Sequence, residues 1–121
     1  MSVATVIAVG LIGGCGAVAR LLVDGAVSAR IAITFPVGTF AVNTAGSLAL
    51  GLLAGITTDV EALRLIATGF LGSFTTFSTW MFETQRLAED GEAGPAIANI
   101  VFSVIAGIVL AWIGIQIGGL V

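Results

Sequence analysis

LIATGFLGSFTTFSTWMF, residues 65–82, runs eighteen residues without a charge, and its reading decides the fold. Wound as a helix at about 1.5 Å per residue it would reach about 27 Å, close to the ~30 Å hydrocarbon thickness of a bilayer. It is nonetheless poor material for an uninterrupted helix. Between Gly72 and Trp80 stand one glycine, five hydroxyl residues and three aromatic rings. β-Branched residues lose rotamer freedom in a helix, glycine costs about 1 kcal/mol relative to alanine, and Ser and Thr hydroxyls compete for backbone carbonyls. Two readings follow. The segment is a bent helix whose hydroxyls bond back to their own carbonyls, or a broken helix whose freed carbonyls coordinate a cation. Irregular backbone at membrane depth persists only where something satisfies it.

Outward from this stretch the pattern repeats. The eleven charges leave three further uncharged stretches, residues 1–19, 31–58 and 93–121. The whole chain is 58% hydrophobic and 9% charged, with a mean hydropathy of +1.17. A soluble domain carries about 25% charged residues to cover its surface; here four arginines and seven acids must serve, with no lysine or histidine. The apolar–polar alternation of barrel strands is absent, which excludes a membrane β-barrel. The expectation is an all-α integral membrane protein, a four-helix bundle in one transmembrane domain, 1–121. Its helices are placed at about 3–23, 36–57, 62–88 with an interruption near 72–76, and 95–119. The connections then carry Asp24, Arg30, Asp59, Glu61, Glu89, Asp90 and Glu92. Pro36 and Gly94-Pro95 suit first helical turns, where the missing N–H is not needed.

Residues 1–19 lack the basic start of a signal peptide and read as a retained first helix. Gly14-Cys15-Gly16-Ala17-Val18-Ala19 matches a dinucleotide fingerprint, but within a membrane-length helix the match carries nothing. The single cysteine, Cys15, reads as a small packing residue. Four crossings put both termini on one side. Arg20, Arg30 and Arg86 then face one compartment against Arg64 alone, which favours termini outside and, with so small a bias, admits insertion both ways. Seventeen glycines include the small-residue sets Gly10/Gly14, Ser47/Gly51/Gly55 and Gly114/Gly118, the spacing that lets membrane helices approach closely. Four short helices enclose little, so an oligomer is expected.

The polar residues inside the spans are few. Thr39, Asn43 and Ser47 share one face of the second helix at i, i+4, i+8. An unpaired amide in hydrocarbon costs several kcal/mol, so Asn43 either bonds a neighbouring helix or faces a wet or ion-bearing pathway. Asn99 and Ser103 repeat the i, i+4 geometry in the fourth. Phe77 and Trp80 stand three apart. Such a pair serves packing, or its electropositive ring edges, beside amide and hydroxyl donors, hold a small anion without a cationic side chain. Conduction requires binding weak enough to permit exit. No catalytic triad, metal-ligand cluster or basic patch appears, so no enzyme is expected.

These residues in this order resemble the CrcB/Fluc family of fluoride channels, over essentially the whole chain. Gly13-Gly14-Cys15-Gly16-Ala17-Val18-Ala19-Arg20 resembles the family's first-helix segment. The run from Pro36 through Gly38-Thr39 and Asn43 to Gly46-Ser47 is similar to its PxGTxxxNxxGS segment. Gly72 to Trp80 resembles its GGxTTFSTF signature, and Ser103 falls at its fourth-helix serine. The resemblance implies an antiparallel dimer, of this subunit or with a paralogous one, in the cell membrane, with two fluoride pathways. It further implies a structural sodium ion held by backbone carbonyls of Gly72 and Thr75. Asn43, Ser103, Thr39 and Asn99 would be polar pathway groups, Phe77 and Trp80 pathway rings, and Arg20 a residue near an entrance. The implied activity is passive export of fluoride.

Three positions depart from the pattern: Ser73 for the signature's second glycine, Trp80 for its second phenylalanine, and Asn99 where relatives often have tyrosine. The alternative, a small proton-coupled multidrug antiporter, needs an acid inside the first helix. This helix has only small and aliphatic residues before Arg20.

Overall fold

The computed structural model describes all of residues 1–121 and contains helices and short connections only. Helix α1 spans Val3–Arg30 and α2 Val37–Ile56. The next segment starts as α3, Val60–Ala62, widens into π-type turns over Leu63–Leu71, and closes as α4, Gly72–Phe74. After a gap in the helix come α5, Ser78–Glu89, and α6, Ala93–Gly118. Helices α1, α2 and α6 are each long and apolar enough to cross a membrane. The remaining crossing, the third along the chain, is the broken segment from Val60 to Glu89.

Helix α1 does not end near residue 23. It continues through Asp24 to Arg30, so both charges expected in a connection are helical. At about 1.5 Å per residue its length exceeds the ~30 Å hydrocarbon layer, which puts its last turns at the polar boundary. There Ser28 Oγ bonds Asp24 Oδ1 one turn back at 3.2 Å, and Arg30 in the last turn suits the negative end of the helix dipole. At the other end Ser2 caps the helix, its hydroxyl accepting the Thr5 N–H at 3.1 Å.

The break in the third crossing occupies Thr75, Thr76 and Phe77. The expectation of an interruption near 72–76 sets its start three residues early, because Gly72, Ser73 and Phe74 remain helical. The first half ends where Thr75 turns extended, at φ −82° and ψ 158°. Its N–H and its hydroxyl both bond the Leu71 carbonyl, each at 3.0 Å. At the opposite membrane face Gly91 reverses the chain into α6 with φ +77°, a left-handed conformation that glycine adopts without strain.

Glycines set the packing. The backbones of α2 and α6 lie in contact: a Cβ on Gly114 would stand 2.7 Å from Leu52 N, and one on Gly118 3.0 Å from the Gly55 Cα. Helix α1 packs on α4 and the π-type turns through Gly13 and Gly16, whose Cβ would meet Ser73 Oγ at 3.1 Å and the Phe70 carbonyl respectively. Of the expected first-helix set, a Cβ added at Gly10 or Gly14 would meet no atom of a neighbouring element within 4 Å. That face of α1 points outward. Only 16 of 121 residues are buried, and large apolar side chains such as Leu11, Leu21 and Trp112 face out. The interior is partly polar instead, holding Thr39, Thr44, Thr84 and Asn99. No buried side-chain N or O atom lacks a hydrogen-bond partner, as a lipid solvent requires.

Candidate functional site

Helix α2 carries Thr39, Asn43 and Ser47 up one face, and the broken third crossing lies against that face. The Asn43 amide meets the break head on: Nδ2 donates to the Thr76 carbonyl and Oδ1 accepts the Thr76 N–H, both at 2.8 Å. An interhelical bond therefore forms, and it takes up the two backbone groups that the break sets free. Close approach is possible because Gly46 has no side chain; a Cβ there would collide with Thr75 Cγ2.

Beside this clamp is a groove of about 340 Å³, lined in part by Asn43, Gly72, Thr75, Thr76, Phe77 and Trp80. Phe77 is 70% exposed and stands edge-on to Trp80, with ring centroids 5.6 Å apart at 79°. On the other side of Thr76 is an opening of about 200 Å³ formed with Arg20, Asp24, Thr39 and Thr79. Thr76 borders both spaces, so one residue of the break joins the Arg20 side to the ring side.

The protons lining these spaces divide into committed and free. Ser47 donates to the Asn43 carbonyl at 2.9 Å, Thr75 to Leu71, Thr39 to Glu83 and the Trp80 indole to the Asn99 carbonyl at 3.1 Å. The Thr76 hydroxyl accepts the Thr79 N–H at 3.2 Å, which leaves the hydroxyl protons of Thr76 and Thr79 free. A primary amide has two N–H groups, and Asn43 uses one. Available donors are thus the second Asn43 N–H, the Thr76 and Thr79 hydroxyls, and the ring edges of Phe77 and Trp80.

Asn99 and Ser103 are placed elsewhere. Asn99 is 0% exposed, bonded to Thr84 Oγ1 at 2.8 Å, while Ser103 Oγ meets Asn99 Oδ1 at 3.4 Å. Neither borders the groove or the Arg20 opening. Glu83 is the site residue that the sequence reading passed over. It sits one residue beyond the uncharged stretch 65–82, yet its spacing from Thr79 and Trp80, i+4 and i+3, places it on their face. That spacing was the available signal.

No cluster of three or more His, Cys, Asp or Glu side chains exists to hold a metal. At the break, however, no backbone N–H donates to the carbonyl of Gly72 or of Thr75, and both residues line the groove. Unbonded carbonyl oxygens suit a hard cation. The carbonyls of Gly72 and Thr75, expected to hold sodium, are therefore unpaired by backbone N–H groups.

Known proteins bear on this arrangement. The family model described as CrcB-like protein, Camphor Resistance (CrcB), matches residues 7–115. The fluoride-specific ion channel FluC 2 of Mycobacterium tuberculosis is 53% identical over 114 residues, covering 94% of this chain and 90% of that protein. FluC 2 of Mycolicibacterium paratuberculosis is 50% identical over 120 residues, 99% of this chain and 98% of its own length. FluC 1 of Symbiobacterium thermophilum is 43% identical over 119 residues, covering 91% and 94%.

Proposed function

The chain belongs to the CrcB-like family, and from that premise we propose that it is a fluoride-specific channel of the cell membrane, exporting fluoride passively and without an enzymatic step. The observation that carries the reading is the Asn43–Thr76 clamp, which holds a helix break open beside a groove of uncommitted donors. Fluoride is small and strongly hydrated, so any dry passage must replace its water with hydrogen-bond donors at short range. Arg20 draws anions to the opening it lines, and the Thr76 and Thr79 hydroxyls present protons there. The second Asn43 N–H and the electropositive edges of Phe77 and Trp80 continue the donor series on the other side of Thr76. Neutral hydroxyl, amide and ring-edge donors bind weakly enough for release, whereas a fixed lysine in the same place would hold the ion. Glu83 accepts the Thr39 hydroxyl, which takes that proton out of the donor series.

A second subunit completes the pathway in this proposal. The groove opens outward and Phe77 is 70% exposed at a break in the backbone. In lipid, irregular backbone is stable only when protein or an aqueous cavity covers it. The weak arginine bias is compatible with two copies inserted in opposite senses, and a paralogous partner would fit the same surface. Gly72 and Thr75 would hold a sodium ion through their free carbonyls, and that ion would supply a fixed positive charge that pins the break. Asn99 and Ser103, expected as pathway groups, are assigned here a supporting place behind Trp80.

Purified full-length protein in liposomes is the test: it should release loaded fluoride and retain chloride. Fluoride that stays inside would refute the reading. The antiporter alternative gains no support from the first helix, which has no carboxylate before Asp24.

A further inference from the structure

Trp80 is the one ring of the groove whose side chain is tethered. Its indole N–H donates to the Asn99 main-chain carbonyl at 3.1 Å, whereas Phe77 has only the edge contact to Trp80 and is otherwise open. The tether belongs to a closed network. Thr84 Oγ1 donates its proton to the Trp80 carbonyl at 2.8 Å, and the lone pairs of Thr84 Oγ1 accept an N–H of Asn99 Nδ2 at 2.8 Å. Asn99 Nδ2 also approaches the Trp80 carbonyl at 3.5 Å, and Asn99 Oδ1 takes the Ser103 hydroxyl at 3.4 Å. Both the side chain and the main chain of Trp80 are thereby fastened to one residue of α6. Asn99 is 0% exposed and Thr84 is buried, so neither touches a passing ion and neither has spare volume. Two of the three positions at which this chain departs from the pattern it resembles, Trp80 and Asn99, are in direct contact.

We infer that Asn99 and Thr84 are positioning residues for Trp80: by fixing how far the indole edge reaches into the groove, they set the discrimination between fluoride and larger halides. This rests on the channel reading above. The physical argument is steric and electrostatic together. A ring edge held at a fixed place accepts only an ion small enough to approach its positive rim. A ring free to swing yields space to a larger one. A buried amide with no slack transmits any change in its own position to the indole.

The test uses full-length protein in liposomes, with fluoride and chloride efflux read by ion-selective electrodes. Thr84→Val is nearly isosteric and removes the acceptor of Asn99; Asn99→Leu removes the amide. Each should lower the fluoride-to-chloride rate ratio by about tenfold, a coupling of ordinary size for neighbours in one network. Thr84→Ser should restore it. In a Trp80→Phe background, where no indole remains to be placed, the same two changes should alter the ratio less than about twofold. Equal effects in both backgrounds, or a wild-type ratio in Thr84→Val, would overturn the inference. A second readout does not depend on flux. In a Trp112→Phe protein only Trp80 fluoresces, and Thr84→Val and Asn99→Leu should shift its emission. Unchanged emission would refute the positioning role. Wild-type protein that keeps its fluoride would instead refute the channel reading, with the emission arm still deciding the placement of Trp80.

Discussion

Asn43 and Thr76, thirty-three residues apart, exchange two hydrogen bonds of 2.8 Å, so that one side-chain amide replaces the helical partners of both backbone groups of a residue at a helix break. The amide acts here as a piece of backbone, and its remaining N–H is the one it can offer to an ion. In the proposed channel, structure and permeation thus converge on a single side chain.

Asn43→Ala removes both bonds. Leaving the Thr76 N–H and carbonyl unpaired costs about 1–3 kcal/mol each when buried, so a lower Tm in detergent is expected. Fluoride efflux should fall by more than about tenfold, since each ~1.4 kcal/mol added to a barrier is a factor of ten. Asn43→Asp keeps the acceptor for the Thr76 N–H but puts a negative charge beside the donors. It should hold more of the thermal stability than Asn43→Ala and still block flux. Wild-type flux in either variant would contradict this role.

Phe77 should separate conduction from folding. Its ring is 70% exposed within the subunit, and exposed substitutions usually change stability by no more than about 0.5 kcal/mol. Phe77→Ala should therefore leave the melting curve of a dissociated subunit nearly unchanged while fluoride release falls by more than about tenfold.

The glycines divide into two classes that alanine scanning should distinguish. Gly46→Ala drives a methyl into Thr75 Cγ2, and Gly114→Ala places one 2.7 Å from Leu52 N. Overpacking of this kind costs typically about 1–3 kcal/mol, and Gly46→Ala should also suppress flux by displacing the break. Gly10→Ala and Gly14→Ala meet nothing within 4 Å. With helix propensity improved by up to ~1 kcal/mol, they should be neutral or stabilising to the isolated subunit. Thermal unfolding of the four variants checks the division.

Much of this was legible from the sequence, for reasons that particular residues make plain. Eleven charges that leave long apolar runs between them mark those runs as membrane helices, and the hydroxyl-rich run after Gly72 marks where the third fails. The end of its first half was set three residues early because local propensity locates weak helix but not the group that captures the freed backbone. That group is Asn43, on another helix. The i, i+4 spacing of Asn99 and Ser103 marks a polar stripe but not what it faces, because the burial of Asn99 and its contact with Trp80 are long-range facts. Glu83 borders the uncharged span 65–82, and it is a contact with another helix, through Thr39, that draws it to the site. Gly10 and Gly14 have the spacing of a packing seam, but spacing alone does not say which side of a helix has a neighbour. The nine π-type residues Leu63–Leu71 have no signature in composition at all.

Sodium offers a check independent of flux. If the free carbonyls of Gly72 and Thr75 hold the ion, it binds the folded protein and not the unfolded chain. An ion at a hundred times its Kd then adds about 2.7 kcal/mol of stability. Tm should rise as sodium replaces N-methylglucamine at constant ionic strength. A Tm indifferent to the exchange would remove sodium from the proposal.

The most direct measurement is a fluoride-electrode trace from liposomes loaded with potassium fluoride and containing the purified full-length protein. Passive, uncoupled anion movement predicts almost no release until valinomycin lets potassium follow, then rapid release that a proton ionophore does not accelerate. Release that requires a pH gradient, or fluoride held inside after valinomycin, would contradict the account.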